Sequence, residues 1–399
     1  MSVLFTPGNL GNIEIKNRFV HSATHEGLAE PDGRITDDLI KRYEVLAKGE
    51  VGLVIPGHLY VHPSGCAIKN QAGIHKDEMI PGLNRLTKTV HRHGGKIIFQ
   101  LSHAGRQTTK DSAGEIPLAP SASGRDPVNR VKPKEMDEEQ IREIISAFIR
   151  AAERSVEAGA DGIQLHGAHG YLINQFLSPF FNRRMDKWGG SAENRFRFLR
   201  EIILGIKKVL PEGIPVTVKL NSHDHTPQEG ITPPLAARYA QWLAELGIDG
   251  VEVSCGSTLY SPLNTCRGGI PLKDIVDTLS LWQKALARLM VKKLRKSFPF
   301  EEGYNLEAAK TIKPVLGTVP LMLVGGMRSI SFMTSTIENN QADFIALSRP
   351  FIRDPLLVKK LLEGKIETVS CISCNKCLAA LARGKPVRCY AGGLEQGGI

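Results

Sequence analysis

The feature that most constrains this chain is an alternation: eight short β-branched or apolar runs, separated by longer stretches with apolar residues at helical spacing. The runs are Asn17–Ser22, Val51–Ile55, Lys96–Leu101, Gly162–His166, Pro215–Leu220, Gly250–Ser254, Pro320–Val324 and Phe344–Leu347. They are continuous rather than alternately polar, which is the pattern of strands buried on both faces. The stretches between them include Asp37–Ala47, Leu83–His93, Asp137–Glu157, Ser191–Val209, Pro233–Leu246 and Asn305–Leu316, each carrying one apolar stripe. Three helix-to-strand turns look alike: Gly159-Ala160-Asp161, Gly247-Ile248-Asp249 and Gln341-Ala342-Asp343. Each recurs two units after the last, as one αβ joint repeated would. Eight units, with no G-x-G-x-x-G after the first run, predict an α/β fold of the TIM (β/α)8 barrel type rather than a doubly wound sheet.

Two segments interrupt the repeat. Gly105–Glu135, rich in Pro, Ser and Gly, is an excursion or lid after the third strand, and Gly256–Gly303 is an insertion after the sixth. A cysteine-rich segment follows the eighth. The expected division is a barrel over residues 1–364 and a four-cysteine segment over 365–399. A composition of 42% hydrophobic and 23% charged residues excludes disorder, collagen and coiled coil. No apolar run reaches the roughly 18 residues that span a bilayer, and MSVLFTPGNLG lacks the basic-then-apolar order of a leader. A cytoplasmic protein is therefore expected. The net charge of +10 is partly local, since Ala287–Lys296 holds five bases and no acid. That stretch reads as the solvated face of an inserted helix, with an anion-facing patch as the alternative. No zinc-finger spacing or RNP motif accompanies it, so nucleic acid is not an expected partner.

In such barrels chemistry gathers at the C-terminal ends of the strands. There the sequence offers Gln100 with His103 and Arg106, then His166, His169 and Tyr171, then Lys219 and Asn221, then Gly325-Gly326, then Ser348-Arg349. Glycines after the seventh strand with a base after the eighth suit a phosphate grip. Two imidazoles and a phenol within six residues suit hydrogen bonding to a carbonyl and delivery of a proton. His91 and His93 read as helix-end dipole partners, and His223 and His225 as loop residues with a metal pair as the alternative.

The run HGAHGYLINQFLSPFFNRRMDKWGGSAENRFRF (His166–Phe198) resembles the signature of the Old Yellow Enzyme family of FMN-dependent ene-reductases. NRFVHSATHEGLAE (Asn17–Glu30), FQLSHAGRQ (Phe99–Gln107), EGYN (Glu302–Asn305), VGGMR (Val324–Arg328) and SRPFIRDP (Ser348–Pro355) match its other blocks in order. THEGL (Thr24–Leu28) and the late cysteines are similar to the catalytic barrel of 2,4-dienoyl-CoA reductases and trimethylamine dehydrogenase. The resemblance implies FMN at the barrel mouth, reduced by NAD(P)H. It places Gln100 at the pyrimidine edge, Lys219 (where Arg is usual) at the N1–C2 oxygen end, and the backbone of Ala23, Thr24 and Gly57 along the ring. Gly325, Gly326 and Arg349 would hold the phosphate, His166 and His169 the substrate oxygen, and Tyr171 would donate the proton. The implied reaction carries hydride from NAD(P)H through flavin N5 to an alkene conjugated to a carbonyl. The histidines would stabilise the developing negative charge.

Cys371, Cys374, Cys377 and Cys389 form C-x2-C-x2-C-x11-C, clustered as metal ligands are in a chain of this size. The related dienoyl-CoA reductases hold a [4Fe–4S] cluster on a pattern one residue longer between the second and third cysteines. Four thiolates suit iron–sulfur or zinc, and a metal-free segment remains the third reading. Two other functions compete with alkene reduction: oxidative C–N cleavage, which needs no proton donor, and electron transfer between flavin and an iron–sulfur centre to a docked partner. A small unsaturated carbonyl compound is the expected substrate, with a homo-oligomer also compatible.

Overall fold

A computed structural model describes residues 2–122, 124–126, 130–271 and 299–391. The basic stretch Ala287–Lys296 lies outside these residues. Eight parallel strands close a barrel: β1 (Phe19–His21), β2 (Leu53–Val54), β3 (Lys96–Ser102), β4 (Gly162–Gly167), β5 (Val216–Asn221), β6 (Gly250–Ser254), β7 (Leu321–Val324) and β8 (Phe344–Leu347). Each pairs with the next in chain order, and the ring closes where Ile345 of β8 stands opposite Phe19 of β1. Each strand lies in its expected run, overshooting it by at most one residue. The TIM barrel read from the sequence is the fold.

Each strand is followed by a covering helix: α1 (Asp37–Lys48), α2 (Ile80–Arg92), α3 (Glu138–Glu157), α4 (Ala192–Val209), α5 (Pro233–Glu245), α6 (Leu306–Ile312), α7 (Ile330–Glu338) and α8 (Leu357–Leu362). Side-chain oxygens of Thr36, Asp137, Ser191 and Ser329 accept from the first-turn N–H groups of α1, α3, α4 and α7, so the chain itself marks where these helices begin. One apolar core, including Phe99, Phe148, Phe198 and Leu243, fills the layer between strands and helices. A second, including Val20, Leu53, Ile98, Met322 and Phe344, fills the barrel itself. Leu10 and Ile15, from a hairpin of Gly8–Leu10 and Ile13–Ile15, join that inner core and plug the barrel where β6 starts.

The three similar joints are three copies of one latch. The N–H groups of Asp161, Asp249 and Asp343 donate to the carbonyls of Ile97, Val216 and Leu321. Their Oδ2 atoms accept from the N–H groups of the same three residues, at 2.8, 2.8 and 2.6 Å. Each latch ties the start of β4, β6 or β8 to the strand before it. Gly159 and Gly247 precede their aspartates with φ of 83° and 68°, a backbone turn that glycine makes without strain. Asn340 takes the left-handed position in the third joint, one residue earlier relative to its aspartate.

The excursion after β3 forms a two-stranded pair of Leu118–Ala119 with Lys134–Glu135. Arg184 holds it, donating through Nη1 to the carbonyls of Pro120 and Met136. The cysteine segment does not stand apart. Val369 and Val387 donate to the carbonyls of Arg328 and Glu26, which lays a short helix, α9 (Lys376–Ala382), over the C-terminal mouth. Among the described residues no helix is long and apolar enough to cross a membrane.

The latches face away from the mouth. Asp249→Ala would leave the Val216 N–H without its acceptor and is expected to cost about 1–3 kcal/mol. Denaturant unfolding should show that loss while the reactivity of the mouth is unchanged.

Candidate active site

At the mouth the inner face of the barrel turns from apolar to polar. Gln100 on β3 donates to Gln164 on β4 at 2.6 Å, and Gln164 donates to Glu252 Oε2 on β6 at 3.0 Å. Lys219 Nζ on β5 lies 2.9 Å from Glu252 Oε1 and donates to Ser22 Oγ at 2.8 Å, while Ser22 donates to the same carboxylate at 2.5 Å. Lys219 and Glu252 are 3% and 0% exposed, so each charge is buried and answered by the other. The network takes one residue each from β3, β4, β5 and β6, and Ser22 from just past the end of β1.

Above this layer opens a cavity. Ala23, Thr24, Gln100, His166, His169, Tyr171, Lys219, Gly325, Gly326 and Arg349, gathered from six places in the chain, all line it. Gly57, the remaining residue expected at the ring, does not. Its N–H donates to Glu26 Oε1 at 2.6 Å behind the wall, and a Cβ there would strike that carboxylate. No described residue of the excursion lines the cavity. His223 and His225 stack on each other at 4.0 Å in the loop after β5. His91 and His93 reach Asp161 and Glu44, at 2.7 and 3.2 Å.

His169 has φ of 61°, unusual for a residue with a side chain. Its N–H donates to Asn221 Oδ1, its carbonyl accepts from Gln107, and its Nε2 lies 2.7 Å from Ser254 Oγ, so the ends of β5 and β6 and the loop after β3 hold the conformation. Tyr171 caps a short helix (Leu172–Leu177), and its ring centroid stands 4.6 Å from that of His166 and 4.9 Å from that of His58. Burial, and secondarily Cys66 nearby, raises the Tyr171 phenol above its ordinary value, so it is a protonated acid at neutral pH. Burial lowers His25 to about 4. Burial first, then neighbouring imidazoles and Lys219, holds His58, His166 and His169 well below the usual histidine range. All four rings are thus neutral donors and acceptors at pH 7.

Sequence reasoning passed over His58, Glu252 and Gln164. Glu252 was legible: a carboxylate inside the apolar run GVEVS must have a buried partner, and Lys219 in PVTVKL is its complement. His58 was not. After β2, Leu59–Tyr60 pairs with the end of β3, which places the preceding His58 in the cavity wall.

The four late cysteines line a second cavity, of about 70 Å³, which shares Arg349, Cys371 and Ser373 with the first as a common wall. Among the described residues no group of three or more His, Cys, Asp or Glu is arranged to hold a metal ion.

Barrel and cavity define the class, a (β/α)8 protein with its site at the C-terminal ends of the strands. The chain belongs to the NADH:flavin oxidoreductase / NADH oxidase family, which it matches over residues 3–263 and 271–367. It is 36% identical to an NADH oxidase of Thermoanaerobacter brockii over 375 residues, 93% of this chain and 52% of that protein. It is 31% identical to a 4,4'-dithiodibutanoate disulfide reductase of Rhodococcus erythropolis, over 96% of this chain and 93% of that one. Among solved structures it is similar to 2-naphthoyl-CoA reductase in complex with 2-naphthoyl-CoA, with 28% identity, a TM-score of 0.83, and coverage of 97% of this chain and 56% of that one. The chain thus spans about half the length of the first and last of these. The resemblance to the Old Yellow Enzyme family holds.

The buried pair predicts its own test. Glu252→Leu strands the Lys219 ammonium and is expected to cost about 3–5 kcal/mol in denaturant unfolding, whereas Lys219→Met combined with Glu252→Leu should recover most of it.

Proposed function

We propose that this barrel catalyses reduction of an electron-poor alkene conjugated to a carbonyl, using FMN and NADH or NADPH. The observation that carries the reading is the buried, protonated phenol of Tyr171 beside the neutral rings of His166 and His169 in one cavity. FMN suits the donor set. His166 Nδ1 and His25 Nε2 are buried without partners at the cavity wall, and among the described residues the lining holds Lys219, Arg328 and Arg349 but no carboxylate. Bound FMN supplies two-electron chemistry, accepting hydride from the nicotinamide and yielding it to an electrophilic carbon.

The residues of this chain supply the rest. Gln100 and Lys219 would hold the polar edge of the ring, Lys219 as a cation beside developing negative charge. The backbone of Ala23 and Thr24 would border the ring, and Gly325, Gly326 and Arg349 would grip the phosphate. His166 and His169 would donate to the carbonyl oxygen of the substrate, stabilising the enolate formed as hydride arrives at the β-carbon. Tyr171 Oη would then give its proton to the α-carbon. A cavity walled by cations and neutral groups disfavours an ammonium substrate, which weighs against oxidative C–N cleavage.

We also propose a [4Fe–4S] cluster on Cys371, Cys374, Cys377 and Cys389. A zinc ion draws thiolates to about 2.3 Å and closes them into a tight group. All four thiols line one cavity of about 70 Å³, and four thiolates are the usual ligand set of a [4Fe–4S] cluster. A cluster there would supply one-electron chemistry. The wall shared by the two cavities favours a second role, electron transfer to an outside partner.

Two experiments test these readings. In Tyr171→Phe, stopped-flow reoxidation by a cyclic enone should slow by roughly 10²–10⁴-fold, while reduction by NADH stays within a few-fold. Reoxidation by an organic disulfide, which protonates no carbon, should also be spared. Enone reduction at the parent rate would assign the proton to solvent or to His166. In anaerobically purified Cys374→Ala, bound iron and the broad visible absorption should be lost with FMN retained; equal iron in variant and parent would count against ligation by Cys374.

A further inference from the structure

The acid assigned to Tyr171 has a neighbour that the reaction as described leaves idle. His58 is buried against it, with Nε2 at 3.3 Å from Tyr171 Oη. The hydrogen bonds behind His58 identify which ring nitrogen carries the proton. The backbone N–H of Ala67 can only donate, and it donates to Gln71 Oε1 at 2.7 Å. That orients the amide, so Gln71 Nε2 faces the His58 side, where it donates to the His58 carbonyl at 2.9 Å and to His58 Nδ1 at 2.8 Å. Ser102 Oγ, the other neighbour of Nδ1, lies 3.2 Å away. Nδ1 is therefore an acceptor, and in the neutral ring the proton sits on Nε2, pointing at the phenol oxygen.

We propose that His58, held as its Nε2–H tautomer by Gln71, is a positioning residue for Tyr171. It donates to the phenol oxygen, turns the phenol's own proton towards the cavity, and supports the phenolate left when that proton has gone. The inference deepens the alkene-reductase reading and rests on it. In the step concerned, the O–H bond of Tyr171 breaks and a C–H bond forms at the α-carbon of the substrate enolate. The electron pair of the broken bond stays on the phenol oxygen, under the His58 N–H, until solvent returns a proton. A hydrogen bond to a charged oxygen is stronger than one to a neutral oxygen, so the contact gains strength as the proton leaves. The titratable groups facing this pair are His166 and Cys66 around Tyr171, and His25, His166 and Lys219 around His58. None is a carboxylate that would draw the proton of His58 to Nδ1.

The test compares two variants of similar polarity. His58→Asn keeps an acceptor for Gln71 but is too short to reach the phenol, whereas His58→Gln places an amide N–H where Nε2 stood. Two acceptors are read on the FMN-loaded protein by stopped flow: a cyclic enone, whose reduced anion needs a proton on carbon, and a nitroalkene, whose reduced anion is a stable nitronate. His58→Asn should slow enone reduction roughly 10- to 100-fold and leave nitroalkene reduction within about three-fold, and His58→Gln should restore the enone rate to within about five-fold of the parent. Equal losses on both acceptors would mean that His58 only shapes the cavity, and parent rates on both would mean that it does nothing for Tyr171; either overturns the proposal. A parent protein inert towards enones yet active with the nitroalkene would overturn the alkene–Tyr171 reading itself, and the role of His58 with it.

Discussion

The ion pair of Lys219 and Glu252 is the constraint on which the upper half of this barrel depends. Strands covered by helices outside and by side chains inside leave no water to solvate a charge, so a lysine and a glutamate there must meet each other. They meet across adjacent strands at 2.9 Å, and Ser22, Gln164 and Gln100 complete the coordination. The carboxylate faces the network and is absent from the cavity lining, while the lysine reaches it. One buried pair thereby gives the cavity floor a cation without an exposed anion beside it.

The two ends of the barrel divide the labour. At the N-terminal end the aspartate latches and the plugging hairpin satisfy backbone groups and fill the bore with apolar side chains. At the C-terminal end the inner face becomes polar, and strained or unpartnered groups collect there: His169 in a left-handed conformation, His166 Nδ1 and His25 Nε2 without partners. Such groups lower stability where they stand and persist because the rest of the barrel holds them. The cysteine segment joins this end too, since Leu378 and Leu381 of α9 line the same cavity as Tyr171.

Legibility followed the strength of local signals. β3 to β6 could be read almost to the residue because a strand buried on both faces admits little but apolar side chains. The aspartate joints were visible as a repeat, though their meaning as latches appeared only with the hydrogen bonds. In the site, ten of the eleven residues expected at the flavin and substrate line one cavity. Gly57 does not, because Glu26 and Tyr43 claim its N–H from behind.

The sequence by itself determined the barrel, its strand order and the block that marks the family, since each rests on patterns within a few dozen residues. Only the tertiary structure decided that His58 stands against Tyr171, that Gln71 sets the proton on its ring, and that the cysteine cavity shares a wall with the barrel mouth. These depend on where loops from distant units end. A barrel rim gathers eight such loops into one ring, and no side-chain period along the chain records which of them will touch.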